Sequence, residues 1–378
     1  MSGSRVAWLL AFAVVLIAFA VWVASRRHLE HSMMAGDLVL PHLQQNVNTI
    51  TSVRLGKAGD VHTTLQKSGG GWRVAEREWP ADVGKVRKLL LDLGALNIVE
   101  EKTRLPANYA ALGVEDVAAP NATGTRIDVT APGTTWAIIV GKSSSAKSGF
   151  VRLASAPQTL LAAPLISVDA DPKTWLDQAL IDLDAKRVRE VQERPAQGPA
   201  FTATREKPEG SFAVAPLPKG RQLTSPAAAE PIAGALRTLT LDDVRKGGGA
   251  AAGTPVSHAL FRTFDGLEVD VSGRKDGTHP LISLSARSSA QGTAAEAQKL
   301  NARLEGWEFE IADYKYSAIF TSLEDLLQKP PEPVKKPAAA HHKAAAPAAA
   351  KPTAATPAPD AAASAPAPAA TPAPAPAK

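Results

Sequence analysis

Residues 69–96, GGGWRVAEREWPADVGKVRKLLLDLGAL, change their hydrophobic period partway through. In GWRVAERE, Trp72 and Val74 alternate with Arg73 and Ala75, the two-residue repeat of a half-buried strand. Further on, Val83, Val86, Leu89, Leu90 and Leu93 recur at three- and four-residue steps, the face of a helix directed at a core. Pro80 and Asp82 mark the helix start and Gly94 is placed to stop it. The glycines Gly69 to Gly71 open a strand, so they read as the turn of a hairpin entered from VHTTLQK. A phosphate-binding loop would need them to open a helix. A chain that buries a strand face and a helix face in one short stretch is committed to an α+β arrangement.

The same order returns later. ITSV at 50–53, Trp72, the helix and LNIVEEKT are echoed by VREV at 188–191, GSFAVAP, a helix opened by Ser225 and Pro226 with Ile232, Leu236 and Leu239, and LTLDDVRK. The offsets are 138 from Val53 to Val191, 140 from Trp72 to Phe212 and 146 from Leu90 to Leu236. Two turn-linked strand pairs follow in parallel, TRIDVTAPGTTWAIIVGK with Pro-Gly and ALFRTFDGLEVDVSG with Asp-Gly, each with a third run, GFVRLA and PLISLSA. We expect two tandem diverged α+β repeats with antiparallel sheets, at 46–165 and 184–290. A connecting helix at 166–183 is capped by Asp171 and Pro172, with Trp175, Ala179, Leu180 and Leu183 on its apolar face. Residues 291–328 add a helix through Leu300 and Leu304, the alternating GWEFEIADYKY, and a capping box from Thr321 to Glu324.

The flanks differ from this body. After a short flank, residues 1–5, Val6 to Ala24 give 19 positions without a charge, long enough at ~1.5 Å per residue to span a bilayer core. The run exceeds an ordinary signal-peptide core and no small-x-small cleavage site follows it, so it is expected to be an uncleaved transmembrane anchor with a juxtamembrane linker at 25–45. Arg5 stands on one side of the run and Arg26 and Arg27 on the other, so charge does not orient it. Thirteen of the 30 prolines fall between Pro330 and Pro376, and the Ala/Pro/Lys-rich residues 329–378 are expected to be disordered. Without Arg5 and residues 330–378 the body holds 36 basic and 35 acidic residues, a balance that argues against a nucleic-acid groove. The chain has no cysteine, which excludes disulfides and a lipidated-cysteine anchor.

Taken together, the stretch at 71–96, the Tyr109-Ala-Ala-Leu-Gly element, VGKSSSAKSGFVRLA, WLDQALIDLDAKRVREV and GWEFEIADYKYSAIF resemble the domain of unknown function 4340 family, over about residues 46–328. The resemblance implies a bacterial inner-membrane protein, single-pass, with its body in the periplasm. It also implies a genetic neighbourhood of gliding-motility-type ABC transporter components. It transfers no catalytic residue.

The residues themselves offer little chemistry. VGKSSS, with Gly141, Lys142 and Ser143, lacks the earlier glycine of a P-loop because Trp136 stands there, and it lies between strands. His28, Glu30 and His31, or His341 and His342, supply too few metal ligands. Glu76 and Glu78, on one face of a strand, and Asp169 and Asp171, ahead of a helix, are paired acids without a fixed partner. Trp72, Trp136, Trp175 and Trp307 fall on apolar faces that read as core. The expectation is therefore no enzyme, no catalytic, cofactor or metal site, and no nucleic-acid partner. The implied role is an accessory or scaffold protein that contacts an ABC permease or auxiliary subunit, held to the bilayer by Val6 to Ala24, with the tail available to envelope polymers. Two other classes stay open. A polysaccharide- or lipid-binding module would show exposed aromatics at the seam between the repeats, and an envelope hydrolase would show acids or a histidine converging in a cleft.

Overall fold

Alternation along the strands places Val53 and Leu55, Leu65, Ile127 and Val129 on one buried face, and around that face the first sheet is built. The computed structural model describes residues 35–248, 254 and 256–329. The expected anchor and tail lie outside the described residues, among which no helix is long and apolar enough to cross a membrane. The first half contains β1 (Ser52–Gly56), β2 (His62–Ser68), β3 (Gly71–Val74), β4 (Trp79–Pro80), β5 (Asn97–Glu101), β6 (Thr125–Ala131), β7 (Thr134–Ser143), β8 (Gly149–Leu153) and β9 (Thr159–Ala163). They form one antiparallel sheet in the order β4-β3-β2-β1-β6-β7-β8-β9-β5. Its helices are α1 (Leu43–Asn46), α2 (Val83–Gly94) and α3 (Tyr109–Leu112).

A strap with β10 (Ala179–Ile181) leads to the second half. There β11 (Val188–Arg194), β12 (Phe201–Thr204), β13 (Ala213–Ala215), α4 (Glu230–Ala233), β14 (Leu239–Thr240), β15 (Asp243–Lys246), β16 (Ser257–Thr263), β17 (Leu267–Asp276) and β18 (His279–Ser288) follow one another. The chain closes with α5 (Ala294–Leu304), β19 (Trp307–Glu310), α6 (Asp313–Ile319) and α7 (Leu323–Leu326). The second sheet runs β13-β12-β11-β16-β17-β18-β19-β15, while β10 and β14 pair separately. Apart from β4, this is the strand succession of the first sheet, and in both the strand that follows the helical segment lies at the far edge. The registers agree as well: Val53 faces Leu65 and Val129, and Val191 faces Ala203 and Phe261. Leu65 then faces Val74 and Ala203 faces Val214, which puts Trp72 and Phe212 at matching places. The fold is α+β with antiparallel sheets, and one continuous apolar core runs through both halves.

The opening hairpin forms as its residues predict. Gly69 and Gly70 both have positive φ, 56° and 89°, the two-residue turn whose twist matches the flanking strands. Asp82 caps α2 by accepting from the Lys85 amide, and Val86, Leu89, Leu90 and Leu93 are buried. Pro80 belongs to β4 rather than to the first helical turn, Val83 is exposed, and Gly94 is the last helical residue, in close contact with Gln44.

Several elements differ from the sequence expectation. Residues 38–45 are not a linker: Val39, Leu40 and Leu43 are buried, and the Val39 amide donates to the Leu96 carbonyl. The connecting helix at 166–183 is only a 3-10 turn, Pro172–Trp175, with Asp171 as its cap. Long-range partners take the backbone that a helix would need: the Asp82 amide donates to Trp175, Asp177 to Pro80 and Leu241 to Gln178. The helix expected after Ser225 contracts to α4, flanked by turns, in a stretch where Pro226 and Pro231 lack amide donors. Leu239 lies in β14 instead. GWEFEIADYKY is a strand only to Glu310, and its last residues open α6, where Tyr316 and Ile319 are buried at helical spacing. The last cap is Ser322, one residue after Thr321.

Candidate functional site

Among the described residues a dense gathering of charge lies where the two halves meet. In the β15–β19 pair, Asp243 stands opposite Glu310 and Arg245 opposite Glu308. Two carboxylates facing each other repel unless cations intervene, and here cations arrive from elsewhere in the chain. Arg77, in the turn after β3, donates from Nε and Nη2 to both oxygens of Asp243 at 2.6 and 3.1 Å. Lys173 from the strap lies 3.4 Å from Asp243 and 3.8 Å from Glu310. His279 is 2.7 Å from Glu310, and Arg245 and Arg274 both donate to the buried Glu308. Lys246 reaches Glu78 of the first half at 2.5 Å.

Burial works to raise the Asp243 carboxyl, but the hydrogen bonds from Arg77 and the Val244 amide and the charges of Arg77 and Lys173 more than offset it. The group stays ionised below the ordinary range. Its neighbour Asp242 is raised, by burial first and by the Glu310 charge second, against the pull of Lys173. The cavity among Asp243, Val244, Arg245, Leu281, Glu308 and Glu310 is about 80 Å³. That volume suits ordered water rather than a small-molecule ligand. Behind the charges, Trp79 is buried edge-on against Trp307 and Phe309, with ring centres 5.4 and 5.2 Å away. Its indole N–H donates to the Asp177 carbonyl at 2.9 Å. Trp79 and Phe309 are buried, and Trp307, half-buried, packs on Trp79. The arrangement is a latch: the forked Arg77–Asp243 pair and the Lys246–Glu78 pair hold the two sheets together over an aromatic seal.

One acid stands apart. Glu193 of β11 is fully buried, neither carboxyl oxygen has a partner, and burial pushes it up to about 9. Counting from the matched Val53 and Val191, its place in the first sheet is held by Leu55. A neutral acid in an apolar position can hold a proton, yet Glu193 lines none of the cavities described here.

The structure takes the motifs singled out in the sequence to other roles. Lys142 donates to the carbonyls of Ala110 and Ala111, satisfying the end of α3. A Cβ on Gly141 would overlap the Leu112 carbonyl oxygen. Gly141 and Lys142 thus seat α3 against β7. Glu76 and Glu78 do not share a strand face: they lie in the β3–β4 turn, where Glu76 accepts from the Thr64 amide at 2.7 Å and Glu78 turns outward at a φ of 51°. Asp169 pairs with Lys57 at 3.1 Å and Asp171 caps its 3-10 turn. Trp175 is buried, while Trp72, Trp136 and Trp307 are half-buried against the core. His28, Glu30, His31, His341 and His342 lie outside the described residues, and among the described ones no three metal-ligating side chains gather.

Two surface grooves each enclose about 550 Å³. One lies on the polar face of β1 and β6, with Arg54, Lys57 and His62 beside Asp116 and the paired Arg126 and Asp128. The other runs between α1, α2 and the β2–β3 hairpin, lined by Val47, Lys67, Trp72, Val83, Arg87 and Leu91 among others. The sequence reading assigned Val83 to the core and so missed this groove. The signal was present in the spacing, because Val83, Arg87 and Leu91 recur every fourth residue along the outward side of α2.

Fold and seam together define an antiparallel α+β protein whose two halves are joined across the seam by the Arg77–Asp243 and Lys246–Glu78 pairs. The chain belongs to the family described as Domain of unknown function (DUF4340), whose sequence profile matches residues 72–260, a narrower span than the resemblance in the sequence suggested. No curated protein and no solved structure matches the chain.

Proposed function

We propose that the protein is a membrane-anchored extracytoplasmic scaffold, held by Val6 to Ala24, that works through contacts with an ABC-type permease or its auxiliary subunit. The observation that carries this reading is the latch: Arg77 on Asp243 and Trp79 on Phe309 make one body of two sheets, a rigid support for a partner. Confinement to the bilayer raises the effective concentration of such a body near integral partners, so a modest interface is enough. In this reading the body is a duplication, supported by the shared strand succession and the agreement of register at Val53 and Val191. The tail from Pro330 serves as a spacer.

Affinity purification from solubilised membranes, followed by mass spectrometry, is expected to recover a permease or auxiliary subunit with the protein. Recovery of the protein alone, at native expression and in mild detergent, would sink the proposal. A Glu76→Gln variant, which keeps an acceptor for the Thr64 amide and leaves the Lys246–Glu78 pair in place, is expected to keep cellular activity. Its loss with normal folding and membrane level would reopen an acid-dependent reaction.

A further inference from the structure

We propose that the groove between α1, α2 and the β2–β3 hairpin rests on an anionic membrane surface, with Trp72 at the level of the lipid headgroups. Val83 and Leu91 are 53% and 48% exposed, although both belong to the helix that carries much of the first core. Arg87 stands between them on the same stripe, and Lys67 faces Trp72 across the hairpin. None of the residues lining the groove is an aspartate or glutamate. Apolar side chains rimmed by cations alone, in a body that is otherwise nearly neutral, complement the lipid interface with its negative headgroups. Trp72 suits that position: its ring is half-buried against the core, and among the described residues its indole N–H has no hydrogen-bond partner. Tryptophan is enriched where an apolar body must meet a wet, polar layer.

The chain itself limits where this face can go. Ten residues, 25–34, separate the apolar run from Ala35. Fully extended they reach at most ~36 Å. Val47, twelve residues beyond Ala35, already lines the groove. This inference rests on the anchor reading, and the experiment separates the two.

The chain has no cysteine, so Leu91→Cys gives a unique site for an environment-sensitive fluorophore. Tyr314→Cys, on α6 and 71% exposed, is the control. Each full-length variant is reconstituted into vesicles of phosphatidylcholine, with or without phosphatidylglycerol, and floated on a density gradient. The expected result is flotation of both variants, a shift to shorter wavelength at position 91 in the anionic vesicles, and no shift at position 314. Replacing Lys67 and Arg87 by alanine, or raising the salt, is expected to reverse the shift. Flotation with an aqueous spectrum at position 91 in both lipids overturns the groove proposal and leaves the anchor standing, whereas failure to float overturns both. A shift that occurs only when a second membrane protein is co-reconstituted assigns the groove to a protein partner and also overturns the proposal.

Discussion

At the scale of single residues, Glu193 is the least conventional choice in the chain. Its folded value of about 9 lies above the ordinary 4.5 of a glutamate, so between those values the folded state binds a proton that the unfolded state has released. The Glu193 contribution to stability is therefore fully present below about pH 4.5 and is lost as pH rises towards about 9. Melting temperatures across that range are expected to fall, and Glu193→Leu, which copies Leu55 of the first sheet, is expected to remove the slope and melt higher at pH 8. A slope that persists in the variant would place the titration elsewhere. The matched pair Trp72 and Phe212 differ in burial: Phe212 is 4% exposed, under the Arg205 guanidinium, while Trp72 is only half-buried. Phe212→Ala should cost about 3 kcal/mol. Trp72→Ala should cost about 1 kcal/mol. Equal losses in chemical denaturation would contradict the burial seen here.

At the scale of elements, the β2–β3 hairpin and the latch behave differently under substitution. Gly70→Ala places a Cβ at a φ of 89° and should cost about 1 kcal/mol, read as a shift of the urea midpoint without a change of slope. Arg77→Ala leaves the half-buried Asp243 with Lys173 as its one remaining ion-pair partner among the described residues. The lost charge-assisted bonds are worth about 2 kcal/mol. Because that loss falls on the seam, hydrogen exchange in the Arg77 variant should quicken at β4 and β15 before it quickens at the central strands β1 and β11.

For the whole molecule, a core that passes through both halves implies that they unfold together. A calorimetric scan of the protein is expected to show the two sheets melting in one transition. Trp79→Ala, which removes the aromatic seal against Trp307 and Phe309, should cost about 4 kcal/mol. It should also begin to separate the halves into two transitions. Two well-resolved transitions in the unsubstituted protein would mean that the latch contributes little and that the body is not one support.

The sequence by itself determined whatever rests on near neighbours: the Gly69-Gly70 turn, the alternation of β6, the Asp82 cap and the buried stripe of α2. Each follows from φ preferences, side-chain period or a hydrogen bond spanning three residues. Only the tertiary structure decided the strap, the end of the last strand and the fate of the acids. Asp82 and Pro80 capture the backbone of Trp175 and Asp177, so a segment with helical spacing is held extended. Tyr316 is pulled into a helix over Gly273. Glu76 turns back to an amide of β2, and Asp243 meets an arginine 166 residues away. None of the latch was legible in the sequence, because its strength comes from charges brought together by folding, and no local pattern records which distant cation a carboxylate will meet.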